Sequence, residues 1–458
     1  HLSGIIEKPE DLVLMNPTKF KTQYKIDART SQEVIKIDRD KKEVTVKKVD
    51  TDETYIESYD KLILSPGAKP ILPPIKGVQN VNTFTIRNVV DINKLNLFVK
   101  KQESKDVVVI GGGFIGVETC ENLEEAGYNV TLIEATDQIM RPFDYDMVQI
   151  FHKELHDKGV NLIVEDKVVA FEKDTVVLES GKKVHASTVV MAIGVTPDIE
   201  LAKEAGIEIG KTGAIKTSQN YQTNDKDIYA VGDAIEVFGA LTNKYMKLPL
   251  AGPAQKQARS VADHINGMVI NNTGYIGSSV VKIFDYNGAS TGLNENTIKA
   301  MNLDVNYGVV WQIPNDAVGL MPNTEACHFK LIYEIPTGKV LGAQAIGKGT
   351  VDKRIDVIAT AIKFGATIYD LKDLELCYAP PFGTAKDVVN FAGYIATDLM
   401  NEDYKQVSYS EVRELVDQKA CIIDVREENE YALSHIIGAK NVPLSQFRDR
   451  IDEIPKTK

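Results

Sequence analysis

The residues best suited to chemistry stand between positions 107 and 134. Val107-Val108-Val109-Ile110 is a short, β-branched apolar run that reads as a strand. Gly111-Gly112-Gly113-Phe114-Ile115-Gly116 follows at once and opens a helical stretch, 115–126, which Gly127 ends. Tyr128-Asn129-Val130-Thr131-Leu132-Ile133 is the next strand, and Glu134 closes it, 23 positions after Gly111. A lone G-x-G-x-x-G is weak evidence, but strand, turn, helix and terminal acid together describe a dinucleotide site. Gly111 permits a tight turn, Gly113 lets a pyrophosphate approach the backbone, and Gly116 lets helix pack on strand. The helix start, with its exposed N–H groups and partial positive charge, attracts the anion. The Glu134 carboxylate can accept from both adenosine-ribose hydroxyls and repels a 2′-phosphate. Two charges 4 Å apart at an effective dielectric of 20 interact by about 4 kcal/mol, a clear bias to NAD(H) over NADP(H).

Other candidates are weaker alone. Gly232-Asp233 after the apolar run 228–231 could bind a ligand or simply cap a helix. Ser65-Pro66-Gly67, after Lys61-Leu62-Ile63-Leu64, could be a plain turn. Cys120, Cys327, Cys377 and Cys421 form no CxxC pair and no zinc spacing, so no metal site is expected and a reducing cytoplasm is. All four read as buried, inert thiols.

These groups need a large scaffold. The chain has 458 residues, and at about 150 per domain three domains are expected. A net charge of −12 argues against nucleic-acid or anionic-membrane partners, which need clustered cations. A hydrophobic content of 43% is that of a globular protein. No apolar run approaches the ~18 residues of a membrane span, and no signal peptide opens the chain. Period-two alternation marks strands at 33–37 and 43–49, while Pro70, Pro73 and Pro74 make a loop. A helix is expected at 88–103, strands with a Gly181 turn across 158–195 up to Gly194, and a helix at 250–266. Strands at 279–284, 307–312, 327–333 and 340–346 follow, then helices at 352–364 and 384–400. Asn401-Glu402-Asp403 reads as a linker, and the last unit as helix 408–417, strand 421–424 and helix 427–432.

Together these pieces resemble the FAD-dependent pyridine nucleotide-disulfide oxidoreductases, in the coenzyme A-disulfide reductase, NADH oxidase and NADH-dependent persulfide reductase branch. The resemblance rests on residues 59–68, on Phe84-Thr85-Ile86-Arg87-Asn88, and on the glycine motif through Glu118. It continues with Ile228-Tyr229-Ala230-Val231-Gly232-Asp233, residues 248–254, Asp352-Lys353-Arg354-Ile355-Asp356-Val357 and Tyr378-Ala379-Pro380-Pro381-Phe382. Ile422-Ile423-Asp424-Val425-Arg426, Glu430-Tyr431 and residues 435–444 resemble the first half of a rhodanese domain. The implied fold is α/β: two doubly wound nucleotide-binding domains, for FAD (1–93 and 224–275) and NAD(P)H (94–223), an α+β dimerisation domain (276–400), and a partial rhodanese-like α/β unit (401–458).

The implied activity is reduction of a small-molecule disulfide, persulfide or polysulfide by NADH (NADPH being possible) through FAD, in a cytoplasmic homodimer without nucleic-acid or membrane partners. Ser65, Pro66 and Gly67 would line the FAD and Asp233 its ribityl hydroxyls. Leu250 and Ala251 start a helix whose N–H groups face the flavin pyrimidine. Gly111, Gly113, Phe114, Ile115, Gly116, Glu118, Glu134 and Gly194 would serve the nucleotide, with Phe114 and Glu118 near the nicotinamide. Tyr378 would act on substrate in the facing subunit, and Lys386 would contact it. The family's first FAD motif and its redox cysteine are missing, residues 1–4 read like the stretch just after that cysteine, and the chain stops before the rhodanese cysteine loop, so both ends read as clipped. Leu320-Met321-Pro322-Asn323 replaces a substrate tyrosine stretch, a basic position falls near Tyr24 and a histidine position at Gln255, so the resemblance carries sulfur reduction further than coenzyme A recognition. An NADH oxidase or peroxidase is the alternative enzyme, and a non-catalytic nucleotide-binding or sensor protein the alternative class.

Overall fold

The computed structural model describes residues 9–455, so the reading of residues 1–4 lies outside the described residues. The chain divides into two compact units, 1–397 and 398–458.

The first unit is organised around two five-stranded sheets of opposite character. One is wholly parallel, in the order Thr83–Phe84, Thr188–Met191, Asp106–Ile110, Asn129–Ile133, Asn161–Ile163. Its strands are covered on both faces, so they read as continuous apolar runs rather than alternating ones. Val107, Val108, Val109, Leu132, Val189 and Val190 are all buried. The helix Phe114–Glu125 packs on it through Val117, Cys120 and Leu123.

The second large sheet is antiparallel, in the order Ser278–Ile283, Tyr286–Gly292, Val340–Gly347, Cys327–Glu334, Tyr307–Gln312. The helix Val351–Phe364 lies on it, its apolar stripe of Ile355, Ile358 and Ile362 buried and Gly365 closing it in a left-handed cap. Smaller pieces complete the unit. Gln32–Asp38, Glu43–Lys48 and Thr54–Ser58 form a meander, and Leu62–Leu64 pairs in parallel with Ile228–Ala230.

Several elements differ from the sequence expectation. Ala68–Pro70 is an edge strand paired with Val195–Pro197, not the start of a loop; Pro70 ends the strand, where its missing N–H is tolerated. The helix expected over 88–103 stops at Val99, and that expected from 384 begins only at Val388. The strand Tyr286–Gly292 and the helix Tyr145–Asp157 had no counterpart in the reading.

The second unit holds the helix Tyr409–Asp417, entered by a Ser408–Glu411 capping box, a short parallel pair Ile423–Asp424 with Lys440–Asn441, and the helix Glu428–Leu433. Among the described residues no helix is long and apolar enough to cross a membrane.

Candidate functional site

The glycine turn sits at the carboxyl end of the parallel sheet, where the strand Asp106–Ile110 hands over to the helix Phe114–Glu125. Each glycine has a different physical requirement. Gly111 adopts φ +107°, a Cβ there would overlap the Ala192 carbonyl, and a Cβ at Gly116 would overlap the Gly111 carbonyl oxygen. A Cβ at Gly113 would meet nothing within 4 Å, so that side of the turn is open. Gly113 is also the N-cap and supplies no side-chain bond to the helix start. An open approach and an uncapped N-terminus are what a pyrophosphate needs, so the residues present fit a dinucleotide.

Glu134 is bound into the same turn. One carboxylate oxygen accepts from the Gly112 N–H at 2.8 Å, and the other from the N–H and hydroxyl of Thr136, both at 2.9 Å. It lines a cavity of about 310 Å³ with Gly111, Ile133, Lys167 and Ile193. Lys167 had no motif around it that could have drawn notice.

A larger cavity, about 600 Å³, opens on the other side of the turn. Gly113, Phe114 and Ile115 line it from the helix start, Gly194 and Val195 from the crossing segment, and Asp233 from the short turn after Ile228–Ala230. Arg87 and Lys247 add positive charge to its wall, and Ala68, Ile86 and Pro249 add apolar surface. The turn carrying Asp233 is fixed by Gln257, a buried side chain whose amide oxygen accepts from the Gly232 N–H at 2.6 Å. Among these, Arg87, Lys247 and Gln257 were not identified from sequence. Arg87 stands inside a motif used for the resemblance, and a cation just before a helix was the available signal.

Ser65, Pro66 and Gly67 border this region without lining the cavity; Gly67 has φ +76° and its missing Cβ leaves room for the Arg87 guanidinium. Leu250 precedes the helix Ala251–Ile265, whose N-terminus also lacks a side-chain cap, and lines a third cavity of about 400 Å³ with Phe114 and Ser279. Glu118 lies four residues after Phe114 on the same helix; incomplete hydration first, and Glu121 second, hold its carboxyl above the usual range. Tyr378 and Lys386 are exposed and do not line the large cavity; the Lys386 ammonium rests 5.6 Å from the centre of the Tyr394 ring.

The cysteines correct one expectation. Cys120 and Cys327 are buried, and burial pushes both thiols up, Cys327 to about 12. Cys377 and Cys421 are exposed instead, because the segments that carry them are irregular or short and cover neither side chain. None of the four lines the cavities around the glycine turn. Among the described residues no group of histidine, cysteine and carboxylate side chains could hold a metal.

Comparison with known proteins identifies the family. Residues 3–258 match the pyridine nucleotide-disulphide oxidoreductase model, 278–388 its dimerisation domain, and 408–458 the rhodanese-like domain. The coenzyme A disulfide reductase of Staphylococcus aureus is 33% identical over 396 residues, covering 86% of this chain and 89% of its own. The crystal structure of reduced Bacillus anthracis CoADR-RHD superposes with a TM-score of 0.95 at 43% identity, over 100% of this chain and 82% of that one. The NAD-dependent persulfide reductase from A. fulgidus gives 0.93 at 32% identity, over 99% and 84%. The chain therefore belongs to the pyridine nucleotide-disulphide oxidoreductases, in the branch that joins this oxidoreductase body to a rhodanese-like segment.

Proposed function

We propose that the chain is an FAD-dependent, NADH-oxidising reductase of disulfide, persulfide or polysulfide sulfur, active as a homodimer. The observation that carries this reading is the meeting of Gly113, Phe114 and Asp233 on one cavity, in a chain that also bears a rhodanese-like segment. When bound, the flavin supplies the two-electron exchange between nicotinamide and sulfur. The uncapped helix start at Gly113 holds the nucleotide pyrophosphate, and Glu134 accepts from the adenosine ribose. Phe114 packs at the nicotinamide end, and Glu118 stands one helical turn further on. Asp233 accepts from the ribityl hydroxyls, Ser65, Pro66 and Gly67 border the flavin, and the N–H groups after Leu250 face its pyrimidine edge. Tyr378 orients the sulfur substrate in the facing subunit or donates a proton to it, and Lys386 attracts an anionic acceptor. The reading needs a thiol beside the flavin, a place that none of the four cysteines here fills.

The rhodanese-like segment favours sulfur over oxygen as the acceptor, since such domains carry persulfide. The test is anaerobic titration of the full-length yellow protein with NADH, followed by polysulfide, coenzyme A disulfide and oxygen in turn. Rapid reoxidation by a sulfur compound is expected. A folded protein that binds no flavin, or one reoxidised by oxygen alone, would reject the proposal.

A further inference from the structure

We infer that Arg354 is a positioning residue for the substrate loop: its buried guanidinium pins the segment that carries Tyr378 and Lys386 to the segment that carries Leu320. This rests on the role proposed above for Tyr378. Residues 374–387 contain no helix or strand, yet they carry both proposed substrate contacts. Few backbone bonds hold them, among them Phe382 N–H to Ala379 at 2.8 Å and Val318 N–H to Pro380 at 3.3 Å. Arg354, 1% exposed, supplies the missing anchor from the first turn of the helix Val351–Phe364. One terminal nitrogen donates to the carbonyl and hydroxyl oxygens of Thr350, at 2.9 and 2.7 Å. The other donates to the Asp316 carbonyl at 2.6 Å and lies 3.4 Å from the Asp387 carboxylate.

Asp387 in turn accepts from the Val389 N–H at 3.1 Å, starting the helix Val388–Met400. Gly383 of the same loop lies beside this pair, since a Cβ there would sit in ordinary contact, 3.8 Å from Asp387 and 3.9 Å from Arg354. Both loops therefore end on one planar cation. A fork can hold three directions at once, whereas a lysine ammonium on a flexible stem cannot fix them together. Burying such a pair yields little net stability, and the Arg354 Nε finds no hydrogen-bond partner among the described residues. What the arrangement gains is a defined loop.

The test uses the full-length flavin-loaded dimer and compares Arg354→Lys, Tyr378→Phe and the double variant. Two rates are read: NADH-driven flavin reduction, and kcat/KM for polysulfide. Arg354→Lys should lower kcat/KM roughly tenfold, mainly through KM, with flavin reduction within about twofold, and cost clearly less than that in the Tyr378→Phe background, where only the Lys386 contact is left to lose. Equal loss of both rates, or full additivity, would mark a merely structural residue and overturn the inference. Normal kcat/KM in Arg354→Lys beside a deficient Tyr378→Phe overturns it while sparing the Tyr378 reading. A harmless Tyr378→Phe rejects that reading and the inference with it. If Arg354→Lys does not fold, Asp387→Asn asks the same question from the loop side.

Discussion

The parallel and antiparallel sheets bury polar function by opposite means. At the parallel sheet the work is done by backbone: a helix start, glycines without side chains, and one carboxylate bonded to N–H groups. At the antiparallel sheet it is done by buried side-chain charge. Lys330, 1% exposed, sits in the strand Cys327–Glu334 within 3.1 Å of Asp144, 2.8 Å of Asp146 and 2.6 Å of Glu295. Three carboxylates around one ammonium would repel one another without further help. Asp144 also accepts from Gln344 at 2.7 Å and from the Asn296 N–H at 3.1 Å, and Glu295 accepts from Tyr307 at 3.1 Å. Asp144 and Asp146 further stand at the positive end of the helix Tyr145–Asp157. A backbone site tolerates almost no change of shape, while a charge cluster tolerates almost no change of charge.

Lys330→Met should break the comparison most severely. It keeps the volume and strands three acids, at a cost of about 3–5 kcal/mol, read as a fall in the denaturant midpoint. A midpoint close to that of the parent would show the acids to be hydrated. Gly116→Ala and Gly113→Ala sharpen the other side. The first forces a methyl into the Gly111 carbonyl and should cost about 1–3 kcal/mol of stability. The second meets open space, so it should leave stability within about 0.5–1 kcal/mol of the parent while weakening NADH binding. Equal effects of the two on melting would contradict the division of labour between them.

Glu134→Gln is a milder change. It removes the charge, leaves Lys167 on the same cavity, and should shift the NADPH-to-NADH ratio of kcat/KM upward by roughly tenfold to a hundredfold. An unmoved ratio would place discrimination elsewhere. The smallest effect expected is that of His152, whose Nε2 accepts from the Ile139 N–H at 3.3 Å and so keeps the loop beneath Gly112 in place. Burial holds this histidine below its ordinary value of 6.5, against a weaker opposite pull from Asp137. The unfolded chain therefore binds the proton first, and stability should decline as pH falls through 6.5 and below. His328, also depressed by burial, acts with the same sign. His152→Gln should flatten the dependence of melting temperature on pH over that window, and an unchanged slope would assign it to other groups.

The same contrast explains what could be read in advance. The glycine turn was legible because backbone geometry admits almost no other residue at Gly111 and Gly116, and Glu134 because it stands at a fixed distance from them. The strand Tyr286–Gly292 was hidden by its own composition, since Asn287, Gly288 and Gly292 imitate a turn. Its glycines serve close packing instead: a Cβ at Gly288 would strike the Phe151 ring, and one at Gly292 the Leu341 carbonyl. Lys330 alternates along its strand as any surface lysine would, and its acids lie far away in sequence. Cys377 was misjudged because apolar neighbours in the chain did not become neighbours in space.

The ring of acids around Lys330 has a bearing on motion. Helix Tyr145–Asp157 reaches that ammonium from the side of the parallel sheet, and the antiparallel strands reach it from the other. A hinge opening along this seam would expose a cation and its carboxylates one by one, breaking charge-assisted bonds with nothing to replace them until water arrived. The helix Tyr145–Asp157 and the antiparallel sheet are therefore expected to move as one body, their separation set at folding.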